Sequence, residues 1–120
     1  MMTRRLNIFL SFFIALTFSY SYSADYFWVN NSGDWNDAMH WSFASGGVGG
    51  AGIPSQGDNV FFDNNSFSNH AVVSLGASQS IHDFTFTNNQ HEVSFDGITG
   101  SEVLEIQGSF SSSNRINTFS

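Results

Sequence analysis

A short internal repeat limits the folds open to this chain more than any other feature. Val73-Ser74-Leu75 returns twenty residues later as Val93-Ser94-Phe95, and Phe84-Thr85-Phe86 returns at the same interval as Leu104-Glu105-Ile106. Each triplet is apolar–polar–apolar, the alternation of a strand with one buried face. Turn formers fill the intervals: Gly76 to Ser80, Asn88-Asn89, Asp96 to Gly100 and Ser111 to Asn114. A third pass starts at Ile116. One such unit cannot bury its inner face alone, but units stacked in parallel bury a continuous apolar column. The expected class is therefore all-β, the start of a parallel β-helix or solenoid with coils of about twenty residues over 71–120. An antiparallel β-sandwich is the alternative, since its strands also recur every 8–12 residues or so. Two matched pairs at one spacing favour the solenoid.

Residues 25–70 read as a cap region before the coils. Tyr26-Phe27-Trp28-Val29 is aromatic and β-branched, a strand, and Asn30 to Gly33 is a turn cluster. Trp35 and Trp41 stand six apart, a spacing that fits neither one helix face nor simple alternation. Ser45 to Pro54 is glycine-rich loop, Val60-Phe61-Phe62 a buried strand, and Asp63 to Ser66 a turn. All three tryptophans fall in this region. Trp28 sits in an apolar run and is structural. Trp35 and Trp41 have two readings: a stacking platform for sugar rings, or a plug that hides the first coil from water and from edge pairing. The plug is preferred, because each ring buries a large apolar area.

Met1 to Ala24 has the layout of a secretory signal peptide. Arg4 and Arg5 form the positive start, Leu6 to Phe18 the apolar run, and Ser19 to Ala24 the small-residue end. Thirteen residues are too few for a bilayer core of roughly 30 Å, which needs about 20, so no membrane span is expected after cleavage. Cleavage after Ala24 puts the large Tyr22 at the −3 position, and cleavage after Ser23 is the alternative. The expected location is secreted or on the outer cell surface, by a Sec-type route. Without the leader, ten acidic residues face Arg115 alone, a net charge of −9, and lysine is absent. Such a surface repels phosphate backbones, so nucleic acid is not an expected partner. Cysteine is also absent, so stability must come from burial without disulfides.

Three segments together carry a resemblance: Tyr26-Phe27-Trp28-Val29, Ser32-Gly33-Asp34-Trp35 and His40-Trp41-Ser42, followed by Pro54, Asp58-Asn59-Val60 and Phe62-Asp63. They resemble the N-terminal region of exported Bacteroidetes β-helix proteins, adhesin-like surface proteins associated with type IX secretion. The resemblance spans Tyr26 to about Phe119. It implies a parallel β-helix of degenerate coils, and it is specific for architecture more than for activity. The C-terminal sorting domain common in that group is not in this sequence, and the chain therefore reads as an N-terminal piece of a longer protein.

Candidate sites are sparse. Gly47 to Gly52 matches G-x-G-x-x-G, but no helix follows to aim amides at a pyrophosphate. His40, His70, His82 and His91 lack zinc-site spacing, and no G-x-S-x-G elbow supports a serine nucleophile. Asp34 with Asp37, or Asp58 with Asp63, offer hard oxygen ligands for calcium. Turn-forming Asp and Asn that bind local backbone N–H groups are the favoured reading. No catalytic residue and no cofactor is expected.

The functional expectation is a non-catalytic secreted or cell-surface module, with surface glycans or proteins as partners and self-association through an open solenoid end. The alternatives are the start of a carbohydrate-active β-helix, a lyase or hydrolase, or a small carbohydrate-binding module using Trp35 and Trp41. A lyase needs a cation beside its acids, and Arg115 is the sole candidate after leader removal.

Overall fold

In the computed structural model the described residues are 23–113 and 118–119. The leader read over 1–24 lies outside them except for Ser23 and Ala24, as do Arg115 and Ile116 of the third pass. The described residues hold eleven short strands and one 3-10 turn, Ala38–His40, with no α-helix. The strands are β1 (Asp25–Trp28), β2 (Gly33–Asp34), β3 (Trp41–Ser42), β4 (Asn59–Phe62), β5 (Ala71–Leu75), β6 (Gln79–Ile81), β7 (Phe84–Phe86), β8 (Val93–Gly97), β9 (Leu104–Ile106), β10 (Phe110–Ser112) and β11 (Thr118–Phe119).

They form three small, mostly parallel sheets, none of them closed. The first has the order β10-β7-β4-β1-β3, the second β11-β8-β5-β2, and the third joins β6 and β9. From β4 onward the chain visits the sheets in a fixed rotation: first, second, third, then first again. Seven of the eight pairings are parallel, the exception being β1 with β3. That excludes the antiparallel sandwich, whose neighbouring strands run in opposite directions.

The sequence repeat of twenty residues is not the ladder register. Val60 pairs with Phe84, twenty-four residues on, and Ala71 pairs with Val93, twenty-two on. Gln79 pairs with Leu104 at twenty-five, and Phe84 with Phe110 at twenty-six. The error in the second sheet has a simple cause. Ala71, Val73 and Leu75 all point inward, so a slip of two residues keeps every apolar side chain on the core face. In the other case the sequence reading missed a strand. Gln79–Ile81 has only Ile81 buried, so it carries no alternation to detect, yet it is the partner of Leu104–Ile106. β4 lies inside the stretch read as cap and pairs in parallel with both β1 and β7.

The core follows from these registers. Trp28, Val60, Phe62, Val73, Ile81, Phe84, Phe86, Val93 and Phe95 point inward and are buried. Their polar neighbours point out. Phe62 sits at the centre, with ring contacts to Phe84 at 5.2 Å, Phe95 at 5.0 Å, Trp41 at 5.7 Å, Trp28 at 5.8 Å and Trp35 at 6.0 Å. Burial thins along the stack: Leu104 and Ile106 are half-buried, and Phe110 is exposed.

Candidate functional site

The two ends of the stack differ. At the β1 end, Asn30 and Asn31 adopt positive φ (70° and 64°), a conformation that asparagine tolerates better than most residues. This tight turn swings the chain from β1 into β2 and exposes the Asn31 carbonyl to the Trp28 indole, which donates to it at 2.7 Å. Asp37 then caps the 3-10 turn through its side chain, accepting from the Met39 N–H at 3.0 Å. The turn delivers His40 flat onto Trp28, ring centroids 4.7 Å apart and 9° from parallel. His40 Nδ1 lies 2.8 Å from the Val29 carbonyl. Gly33 leaves the space this ring needs, since a Cβ there would collide with His40. β3 then runs antiparallel along the free edge of β1 and carries Trp41 into the core, where its indole donates to the Trp35 carbonyl at 2.8 Å.

Trp35 and Trp41 are each 0% exposed. Neither ring offers a face to a sugar, so the stacking platform does not exist in this structure. The polar residues beside them, Asp34, His40 and Ser42, bond to nearby backbone while the indoles turn inward.

The four candidate calcium ligands do not form one cluster; Asp34 and Asp37 share a turn, the Asp37 N–H donating to the Asp34 carbonyl at 3.0 Å. Asp58 and Asp63 flank opposite ends of β4, about 16 Å apart at strand rise. Asp34 accepts from the Asn36 N–H at 2.7 Å, Asp37 from Met39, and Asp63 from the Asn65 N–H at 2.9 Å and the Ser45 hydroxyl at 2.6 Å. Asp58 is buried and accepts from the Ala24 N–H at 3.0 Å, the Ser55 N–H at 2.9 Å and the Ser55 hydroxyl at 3.0 Å. Asp34, Asp37 and Asp63 hold their own local backbone, whereas Asp58 also reaches Ala24, thirty-four residues away. Among the described residues no group of three or more His, Asp or Glu could hold a metal ion. Gly47 to Gly52 folds back on the 3-10 turn through the Gly50 N–H to the Ala38 carbonyl at 2.9 Å, and no helix follows it.

At the opposite end lies a cavity of about 290 Å³ between the second and third sheets. Leu75, Phe95, Leu104 and Ile106 form its apolar walls, and Asp96 and Glu102 its rim. Glu102 binds Thr99 through that residue's hydroxyl (2.8 Å) and N–H (3.0 Å), and also takes the Gly100 N–H at 3.1 Å. These donors, Thr99 first, hold its carboxyl below the ordinary glutamate range. It is an acceptor at neutral pH, not a proton donor. Sequence reading named the inward residues of this wall but not the cavity, which arises from the missed third sheet. A second polar group sits on the corner before β7. Asp83 accepts from the Ser109 N–H at 2.7 Å and hydroxyl at 3.1 Å and lies 3.1 Å from His82 Nδ1. The Ser109 backbone is the main reason its carboxyl is held low, and His82 adds to it.

No helix among the described residues is long and apolar enough to cross a membrane. No protein-family model, curated protein or solved structure matches the chain.

Proposed function

We propose that the chain is exported and serves as a non-catalytic module at the cell surface, the first coils of an adhesin-like parallel β-helix. The observation that carries this reading is the rotation of strands through three sheets. The parallel registers of β4 with β7, β5 with β8 and β6 with β9 support this reading, because one coil stacked on the next would give such pairings. On this reading Trp28, Trp35 and Trp41, with β3 along the edge of β1, are the aromatic cap that keeps the first coil from pairing with other chains. The resemblance of the Tyr26–Phe62 segments to exported Bacteroidetes β-helix proteins supports the same view, as does the leader-like start. Contacts with surface glycans or proteins would then fall on the lateral sheet faces, because the indoles are occupied in packing.

Fractionation of the producing cells tests this directly. Antibody labelling of intact cells, with intact-mass analysis of the labelled species, is expected to find the protein outside and without its leader. Protein confined to the cytoplasm with residues 1–24 attached would refute the proposal.

A further inference from the structure

Asp58 presents an electrostatic problem that export would solve. Its side chain is buried, 6% exposed, and the described residues contain no lysine or arginine to neutralise it. A buried carboxylate is costly unless it is paired or fully hydrogen-bonded. Oδ2 is served by Ser55, through its N–H and its hydroxyl. Among the described residues Oδ1 has one donor, the backbone N–H of Ala24. Ala24 itself is built into the first sheet, since its carbonyl accepts from the Asn59 N–H at 2.8 Å. Cleavage after Ala24 would discard both hydrogen bonds. Cleavage after Ser23 keeps them.

The geometry points to processing between Ser23 and Ala24, which turns the Ala24 nitrogen into an α-ammonium ion paired with buried Asp58. This inference rests on the export reading above. In the step, water adds its oxygen to the Ser23 carbonyl carbon as the C–N bond breaks, and a proton passes to the Ala24 nitrogen. The new amine takes a second proton from solvent at neutral pH. One N–H donor thus becomes three donors and a positive charge at the same place. Cleavage there also puts Ser21 at −3 and Ser23 at −1, both small, as leader processing requires. Departure of Ser23 breaks the exposed 3.3 Å bond that Asn59 Nδ2 donates to its hydroxyl. Asn59 keeps its bond to Asp25.

Other titrating groups near the pair are Asp25 next in the chain, Tyr26, and His82 and Asp83 on the adjacent turn, where the His82 N–H donates to the Asp58 carbonyl at 2.7 Å. Burial, and then the charge of Asp58, push the Tyr26 phenol above its ordinary value of 10.0. An α-amino group ordinarily titrates near about 8, and pairing raises that value in the folded state. The stability it supplies is full below about pH 8 and is lost as the pH rises through the raised value.

Residues 24–120 contain no lysine, so in that segment the α-amino group is the one primary amine and can be acetylated selectively. Intact mass is expected to show a chain beginning at Ala24. Acetylation is expected to raise the unfolding equilibrium constant by about tenfold or more and to abolish the fall in stability above about pH 8. In Asp58→Asn, acetylation is expected to change neither. A chain beginning at Asp25, or equal effects of acetylation in both proteins, overturns the inference and leaves export intact. A leader still attached overturns both.

Discussion

Phe62 and Phe61 are neighbours on β4 that face opposite ways, and replacing each with alanine tests the strand's orientation. Phe62 is 0% exposed and meets seven aromatic rings, among them Phe84, Phe95 and all three tryptophans. Phe→Ala in a packed core costs about 3–5 kcal/mol, more where the walls cannot collapse. Rings held on several sides by other strands relax little, so about 4–5 kcal/mol is expected. That is a large part of the roughly 5–15 kcal/mol of a typical domain. Phe61 points outward, is half-buried, and stacks on Phe27 alone at 4.8 Å. Its loss should cost about 1 kcal/mol. Urea unfolding followed by fluorescence reads both values, because the three tryptophans surround Phe62 and report its collapse. Phe62→Leu, at roughly 1.5 kcal/mol, provides a folded comparison. A Phe61→Ala cost equal to or above that of Phe62→Ala would refute the assigned faces of β4.

The same unfolding assay checks further expectations. Trp41→Phe should cost about 1–2 kcal/mol more than Trp35→Phe. The Trp41 indole donates a buried hydrogen bond, whereas the buried Trp35 N–H has no acceptor; equal costs would contradict this. Gly49→Ala should destabilise by about 1–3 kcal/mol, because a Cβ there strikes the Met39 carbonyl, a backbone atom that cannot step aside. Gly57→Ala, with nothing within 4 Å, should be neutral. Asp83 and Glu102 are held below their ordinary values of 3.8 and 4.5. On acidification the unfolded chain therefore binds protons first. Their stability is full above those values and is lost as the pH falls through the lowered ones, and Asp83→Asn with Glu102→Gln should flatten that acid limb. Tyr26→Phe should remove the loss of stability above about pH 10, since the phenol is raised in the folded chain.

The alternating triplets around Val73, Phe84 and Val93 were enough to read strands and to favour parallel pairing over an antiparallel sandwich. Register was not legible, because alternation repeats every two residues and a slip of two leaves the buried face unchanged. Gln79–Ile81 escaped notice because a three-residue strand with one buried side chain has no period. The tryptophans show a different limit. Flanking polar residues describe the local chain, whereas burial depends on which way the turn at Asn30-Asn31 sends it. Asp34, Asp37 and Asp63 each accept from a backbone N–H two residues on, a local pattern that sequence alone suggests. The partner of Asp58 is a backbone nitrogen thirty-four residues away, a pairing with no signature in the sequence.

The stacking of successive coils is the central claim, and a cysteine-free chain allows a direct test with introduced pairs. In the observed register Val72 faces Ser94 across β5 and β8, on the outer surface and about 4.8 Å apart. Ser74, which the twenty-residue repeat would place opposite Ser94, is two residues off, about 8 Å away and beyond the roughly 7 Å that a disulfide spans. Val72→Cys with Ser94→Cys is expected to close on mild oxidation with the fold retained, while Ser74→Cys with Ser94→Cys stays reduced. Closure of the second pair and not the first would contradict the register, and closure of neither would contradict the parallel stack.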